Sequence, residues 1–509
     1  MKKSLFLIVA AAACVAFASC NKNDVVYDQL FLDYFGFTAE DNPEVLSNDI
    51  IVEKPAVGKI EISLPVGTDE EALKSLIPHM SVTILDGQTI GLPKILVDGF
   101  EYYDGAIDFS DNVDLEVVNG NVSSLYNISV KISAAPTWVL EATSEVDFYS
   151  TPFMAINPKD GCPYITGTAN SDDSAKRYPL GFKVSDGKFT GLTSNGELAQ
   201  NRADNAVIGF DPDGKAYVHY LDYINGSTAA LLRSSVVTVN NGTAALVGKA
   251  ADIYAQGSNS AIFPIASNNI WLGFQMKNAT GALAKRVLAL ANWNGTTWAN
   301  ENAIPGRTAS DYGYLTVGAS RGNHNYLLVF NQNVNNVSLY SYEEGAWKTI
   351  FERLVINKAD GSVPETPSIN TRGIDLAIDS KGNPYMMILS QYKSEVYNPA
   401  IVKYDLQSKK QSIIGGVPDL NGNDLRYFSI AFDSFDTPYM AYQTAEKKLA
   451  VMYVNNKTKL WSDPTILEGC NLNGIYAPTI RFNEDGKGFI AALDYVSSET
   501  KKCKVFATK

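Results

Sequence analysis

Short apolar stretches broken by polar turns recur along this chain, and they predict strands. Ile60-Glu61-Ile62-Ser63-Leu64 alternates apolar and polar residues, the pattern of a strand with one buried face. Val113 to Val118 and Leu125 to Ile132 read as two strands joined across Asn119-Gly120-Asn121. Thr68-Asp69-Glu70-Glu71 carries a capping-box pattern and predicts a short helix that Pro78 ends.

Pro136 marks a boundary, and beyond it the pattern repeats. Phe210-Asp211-Pro212-Asp213-Gly214-Lys215-Ala216-Tyr217 aligns with the segments Ile378 to Tyr385, Phe432 to Tyr439 and Phe482 to Phe489. Ile156 to Tyr164 is a further copy with one extra residue, and degenerate copies end at Trp271 and Tyr326. The closing aromatics fall at 164, 217, 271, 326, 385, 439 and 489, so the period is close to 54 residues. In each copy an apolar strand enters an Asp/Asn-Gly turn and a second strand leaves from the aromatic. A third strand and a fourth follow, the fourth often with tryptophan (Trp298, Trp347, Trp461). Four antiparallel strands at this period predict a propeller blade, which must stack on neighbours until the ring closes. The last copy is one strand short, and Trp138-Val139-Leu140-Glu141 resembles the missing strand. The expected fold is therefore all-β: a domain over 28–134, then a seven-bladed β-propeller over 137–509 closed by the 137–142 strand. An open or eight-bladed array is the alternative.

The first residues predict export. Lys2 and Lys3 precede the apolar run Leu5 to Ala18, which is too short to span a bilayer and fits a signal-peptide core. Phe17-Ala18-Ser19-Cys20 resembles a lipobox, although Phe17 stands where Leu is usual. The resemblance implies cleavage after residue 19, acylation of Cys20 and a tethered linker over 20–27. Loss of Lys2 and Lys3 would take the formal charge from −13 to −15, which argues against nucleic acid and anionic lipid as partners. Membrane attachment is thus expected through the lipid alone. Cys162, Cys470 and Cys503 remain, an odd and widely spaced set that predicts no disulfide framework.

Residues 28–134 resemble the immunoglobulin-like modules at the N-termini of Bacteroidota surface lipoproteins. The matching segments are Lys59 to Pro65, Asp108-Phe109-Ser110 and Tyr126-Asn127-Ile128-Ser129-Val130. The resemblance implies an immunoglobulin-like β-sandwich acting as a spacer. Asp173-Ser174-Ala175 matches a short Bacteroidota O-glycosylation pattern and makes Ser174 a candidate acceptor.

In a propeller, the loops between blades and those between second and third strands share one face at the channel mouth. That geometry selects Tyr149, Arg202, Tyr312, Arg372, Tyr392, Arg426, Tyr427 and Tyr476 as candidate ligand-binding residues. Aromatics offer flat apolar area, and arginines offer directional hydrogen bonds, which together suit a sugar ring or another small polar ligand. His324 and Asp436 fall on the opposite, turn-bearing face and are expected to be bystanders.

Catalytic signals are thin. The three histidines, His79, His219 and His324, are expected too far apart to form a triad or zinc site. No phosphate loop or nucleophile elbow occurs, and no cofactor or metal is expected. The Asp-x-x-Gly turns resemble sialidase Asp-boxes but lack their Ser-x-Asp-x-Gly-x-Thr-Trp pattern. Turn capping is the expected role of their aspartates, in preference to calcium binding. The expected function is capture of a glycan or small polar nutrient by an outer-membrane lipoprotein, facing the cell surface and partnered by a TonB-dependent transporter. A periplasm-facing location, a carboxylate-based glycoside hydrolase or lyase, and an adhesin are the alternatives.

Overall fold

The computed structural model describes residues 30–84, 93–120, 122–170, 177–200, 203–223, 232–248, 260–275, 288–301, 313–331, 335–355, 369–390, 398–415, 428–472, 477–497 and 500–509. The chain splits into two compact units at Ala135/Pro136, with Asn455–Thr458 grouped with the first. Among the described residues no helix is long and apolar enough to cross a membrane.

The first unit holds a three-stranded and a five-stranded sheet. Gly58–Leu64 buries Ile60, Ile62 and Leu64, so the alternation read from the sequence is the alternation of the strand. It runs parallel to Val122–Ile132, which also pairs antiparallel with Val113–Asn119 across the Asn-Gly turn. Phe35, Phe37 and Phe109 meet edge to face in the core, and the buried Tyr126 hydroxyl accepts the Leu32 amide at 3.0 Å. The expected capped helix is instead a single 3-10 segment, Glu70–Ser75. Its cap is Asp69, which accepts the Glu71 amide, while Thr68 Oγ1 turns back to the Pro65 carbonyl at 2.7 Å. Six residues are too few to sustain an α-helix, and 3-10 geometry is the usual short form.

The second unit is a β-propeller. Among the described residues it holds seven four-stranded sheets, six of them built from consecutive strands. Their first strands are Phe153–Ile156, Ala203–Phe210, Ala261–Ala266, Gly313–Arg321, Ile369–Ile378, Phe428–Phe432 and Thr479–Phe482. Each lies against the first strand of the next sheet, and the last lies against the first. All seven closing aromatics sit near the start of a second strand. In the seventh sheet the outer strand is Trp138–Asp147, paired antiparallel with Lys501–Thr508. It runs five residues past the predicted 142, so Asp147 lies in a strand. In the sixth sheet Trp461 makes only a bridge to Val454, and the fourth strand is Thr465–Asn471.

The turns explain themselves from the sequence. Asp211 Oδ1 accepts the amides of Asp213 and Lys215, Asp379 Oδ1 those of Lys381 and Asn383, and Asp433 Oδ1 those of Phe435 and Thr437. One carboxylate oxygen thus satisfies two amides that the hairpin leaves unpaired. The fourth turn position needs positive φ, and Gly214, Gly382 and Gly486 supply it at +79°, +84° and +80°. Asp436 takes the same place at +59°.

Neighbouring blades are joined by side chains at equivalent places. An inner strand is a sheet edge, so half its backbone groups lack a partner within the sheet. Asp375 Oδ2 accepts the Ile430 amide of the next blade at 2.9 Å, and Ser429 Oγ accepts the Ile480 amide at 3.2 Å. Thr479, at the matching position, donates from Oγ1 to the Pro152 carbonyl and so joins the seventh blade to the first. Aromatic contacts repeat the pattern: Tyr164 meets Phe210, Tyr385 meets Phe432, and Tyr439 meets Phe482, with centroids 4.5–5.0 Å apart.

Candidate functional site

The inner strands enclose a cavity of about 1770 Å³ that runs along the ring axis. At one end it is lined by the connections between blades, including Tyr149, Ser150 and Pro478; at the other it reaches the Asp/Asn turns and His324. Of the repeat aromatics, which lie on the second strands, only Tyr326 is among the described residues that line it. The residues paired opposite those aromatics are Ala155, Gly209, Phe263, Ala319, Ala377, Ala431 and Arg481. Five are Ala or Gly, Phe263 is buried in the core, and one is a charged residue.

Of the residues selected from the sequence, Tyr149 is described in full. It follows strand Trp138–Asp147 and is held by its amide, which donates to the Thr168 carbonyl at 2.7 Å. The half-buried ring carries the Arg177 guanidinium 3.6 Å from its centroid, while the buried Lys501 ammonium lies 5.4 Å away. Lys501 also lies 5.0 Å from the Tyr495 centroid, and Asp147 pairs with Lys502 at 3.1 Å. A cation over an aromatic face is attracted by the ring quadrupole, and the pair is stronger where water is partly excluded. The backbone of Arg372 belongs to strand Ile369–Ile378, and its side chain lies outside the described residues. Arg202, Tyr312, Tyr392, Arg426, Tyr427 and Tyr476 also lie outside them, as do Cys20 and Ser174.

The bystander positions are more engaged than the sequence indicated. Asp436 Oδ1 accepts the Ser380 amide at 2.8 Å, and Oδ2 accepts its hydroxyl at 2.5 Å. Arg321 adds a 3.4 Å contact from the fourth blade and donates to the Ile378 carbonyl at 3.0 Å. Asp436 therefore joins three blades. Burial pushes its carboxyl above the usual range, with the Ser380 bonds opposing, and pushes neighbouring Asp433 to about 6. His324 stacks on Tyr326, and the space beside it is kept open by Gly382, where a Cβ would sit 2.4 Å from the imidazole.

His219 is fully buried between the second and third blades. Nδ1 lies 2.7 Å from Ser260 Oγ and Nε2 lies 3.0 Å from Ser234 Oγ, and burial lowers its pKa to about 3. A ring held neutral by burial, with a hydroxyl at each nitrogen, fits a blade joint. Among the described residues no group of His, Cys, Asp and Glu is arranged to hold a metal ion. Cys162, Cys470 and Cys503 are free thiols.

Arg481 was not among the candidates. It lines the cavity and donates from Nη1 to the Ile480 carbonyl at 2.6 Å and to Ser429 Oγ at 3.2 Å. The signal was in the repeat: Arg481-Phe482-Asn483 stands where other copies read Ala431-Phe432-Asp433 or Gly209-Phe210-Asp211.

No protein-family model matches the chain. No curated protein matches it either. Among solved structures, a polysaccharide lyase described as an ulvan lyase is similar at 14% identity, over 72% of this chain and 95% of that one, with a TM-score of 0.42. The Aleuria aurantia lectin is similar at 10% identity, over 70% and 96%, with a TM-score of 0.35. Hydrazine synthase from Kuenenia stuttgartiensis is similar at 12% identity, over 71% and 96%, with a TM-score of 0.44. A lyase, a lectin and a hydrazine synthase thus share this likeness, and at such scores it assigns no activity. The fold rests on the sheets themselves.

Proposed function

We propose that the protein is an exported lipoprotein, anchored through Cys20, whose propeller captures a glycan or other small polar ligand without chemical turnover. In this reading the first unit is an immunoglobulin-like spacer. The ligand enters at the end of the axial cavity formed by the connections between blades. The protein then works at the outer membrane, facing outward, and hands its ligand to a TonB-dependent transporter.

The observation that carries the reading is the rim of the cavity at Tyr149, where the Arg177 guanidinium lies over the ring 3.6 Å from its centroid and Lys501 lies 5.4 Å away, so cationic donors and aromatic carbon stand together. A sugar presents an apolar ring face and a fringe of hydroxyls, so such a rim meets both parts. Arg202, Tyr312, Tyr392, Arg426, Tyr427 and Tyr476, which lie outside the described residues, and the side chain of Arg372 are proposed to complete this rim. The test is a glycan screen with the mature protein, followed by calorimetric titration of Tyr149→Ala, Arg426→Ala and Tyr427→Ala. Loss of one aromatic anchor should weaken binding about tenfold, in the range of interface hot spots. Saturable binding without turnover supports capture. Turnover of a bound glycan would make the protein an enzyme, and failure of every variant to alter binding would place the ligand elsewhere.

A further inference from the structure

Arg481 is unusual in two respects. It is the one charged side chain among the seven positions opposite the repeat aromatics, where five other blades carry only Ala or Gly. It also lacks a counter-ion: its hydrogen bonds go to Ser429 Oγ and the Ile480 carbonyl, both from Nη1, and among the described residues no carboxylate lies within ion-pair distance.

Five of the six carboxylates that line the same cavity among the described residues are occupied. Asp375 accepts the Leu376 and Ile430 amides, while Asp211 and Asp433 cap their own turns. Glu343 and Glu344 pair with Lys348, and Glu484 is exposed on its turn. A guanidinium presents five N–H donors in a planar fork, and here Nε and Nη2 are uncommitted. A part-buried cation held without a counter-ion gains from any oxyanion of matching geometry, and carboxylate and sulfate both accept two parallel N–H bonds. The small residues on neighbouring blades leave room for such a group beside it. Ser429 and Ile480 hold Nη1, so the fork is oriented before a ligand arrives.

We propose that the axial cavity is a binding site for an acidic glycan, whose carboxylate or sulfate ester is held by the free edge of the Arg481 guanidinium. The inference rests on the reading above for the glycan and on Arg481 for its charge. Arg481 stands two residues before the Asn483 turn, and its bonds to Ile480 and Ser429 hold Nη1 on the connection side of that position.

The test titrates the mature protein with trigalacturonate, a sulfated galactotriose and uncharged galactotriose, using unmodified protein, Arg481→Gln, Arg481→Lys and Tyr149→Ala. Circular dichroism and thermal melts establish that each variant is folded. Unmodified protein should bind at least one acidic trisaccharide about tenfold or more tighter than galactotriose, as expected of a charge-assisted pair. Arg481→Gln should abolish that preference, and Arg481→Lys, which keeps charge without the fork, should retain part of it. The tighter of the two acidic sugars identifies the anion. An acid preference that survives Arg481→Gln overturns the proposal, as does no preference or no binding of any of the three sugars. Tyr149→Ala should weaken all three sugars alike. If it does nothing while Arg481→Gln removes the acid preference, the rim reading fails and the anion site stands.

Discussion

Trp138 and Thr508 face each other across the seventh sheet of the propeller, 370 positions apart in the chain. The pair starts a ladder that joins strand Trp138–Asp147 to Lys501–Thr508, and Trp138 packs edge-on against Phe482, centroids 6.1 Å apart. The ring therefore depends on a segment from before its first blade. Removing residues 1–143 should leave Lys501–Thr508 as an unpaired edge and strip the cover from Phe482. Removing only 1–134 should keep the ladder. The longer deletion is expected to lose several kcal/mol more, roughly the scale of deleting a large core aromatic. Equal melting temperatures for the two truncations would show that the ladder contributes nothing to closure.

Asp436 holds φ at +59° while its carboxylate bonds Ser380 and contacts Arg321. Asp436→Ala loses these bonds, leaves the Ser380 amide unpaired and keeps an unfavourable left-handed backbone. The expected cost is about 2–4 kcal/mol. Asp436→Gly loses the same bonds and relieves the backbone, so it should be about 1 kcal/mol less destabilising. Urea denaturation of both variants measures the difference, and Ala tolerated as well as Gly would refute the backbone argument.

His219 makes stability depend on pH. Its pKa is about 3 in the folded chain against 6.5 for the unperturbed ring. Below about pH 6.5 the unfolded chain takes up a proton that the folded chain refuses, so stability falls with falling pH. The slope approaches about 1.4 kcal/mol per pH unit down to about 3. Asp433, with its carboxyl raised from 3.8 to about 6, acts in the opposite direction. In the folded chain it keeps its proton to higher pH, so its contribution is lost as pH rises from about 4 to about 6. Comparison with His219→Gln isolates the histidine. That variant should be weaker at pH 7 and show a shallower loss between pH 6 and pH 4, and parallel curves would contradict the assignment.

The proposed anchor has its own measurement. Cys20→Ala should abolish incorporation of labelled palmitate and release the protein from the membrane fraction. Labelling that persists in the variant would remove the lipoprotein reading, although the propeller and its cavity would stand.

The sequence by itself determined the local grammar of this protein. The aromatics at 164, 217, 271, 326, 385, 439 and 489 all lie on second strands, and Asp211, Asp379 and Asp433 cap the turns that precede them. Those features were legible because strand alternation and turn capping act over a few residues, and a repeat displays the same solution several times. Arg481 was visible as a departure from Ala and Gly, but a sequence does not show whether a charge has a partner. That Asp436 joins blades, that His219 is sealed between two serines and that Arg481 has no carboxylate within ion-pair distance among the described residues depended on contacts between blades. Those contacts join residues roughly one repeat apart or more, and side-chain direction and the closing of the ring set them. Only the tertiary structure decides such matters, because no local pattern specifies what a side chain meets on the neighbouring blade.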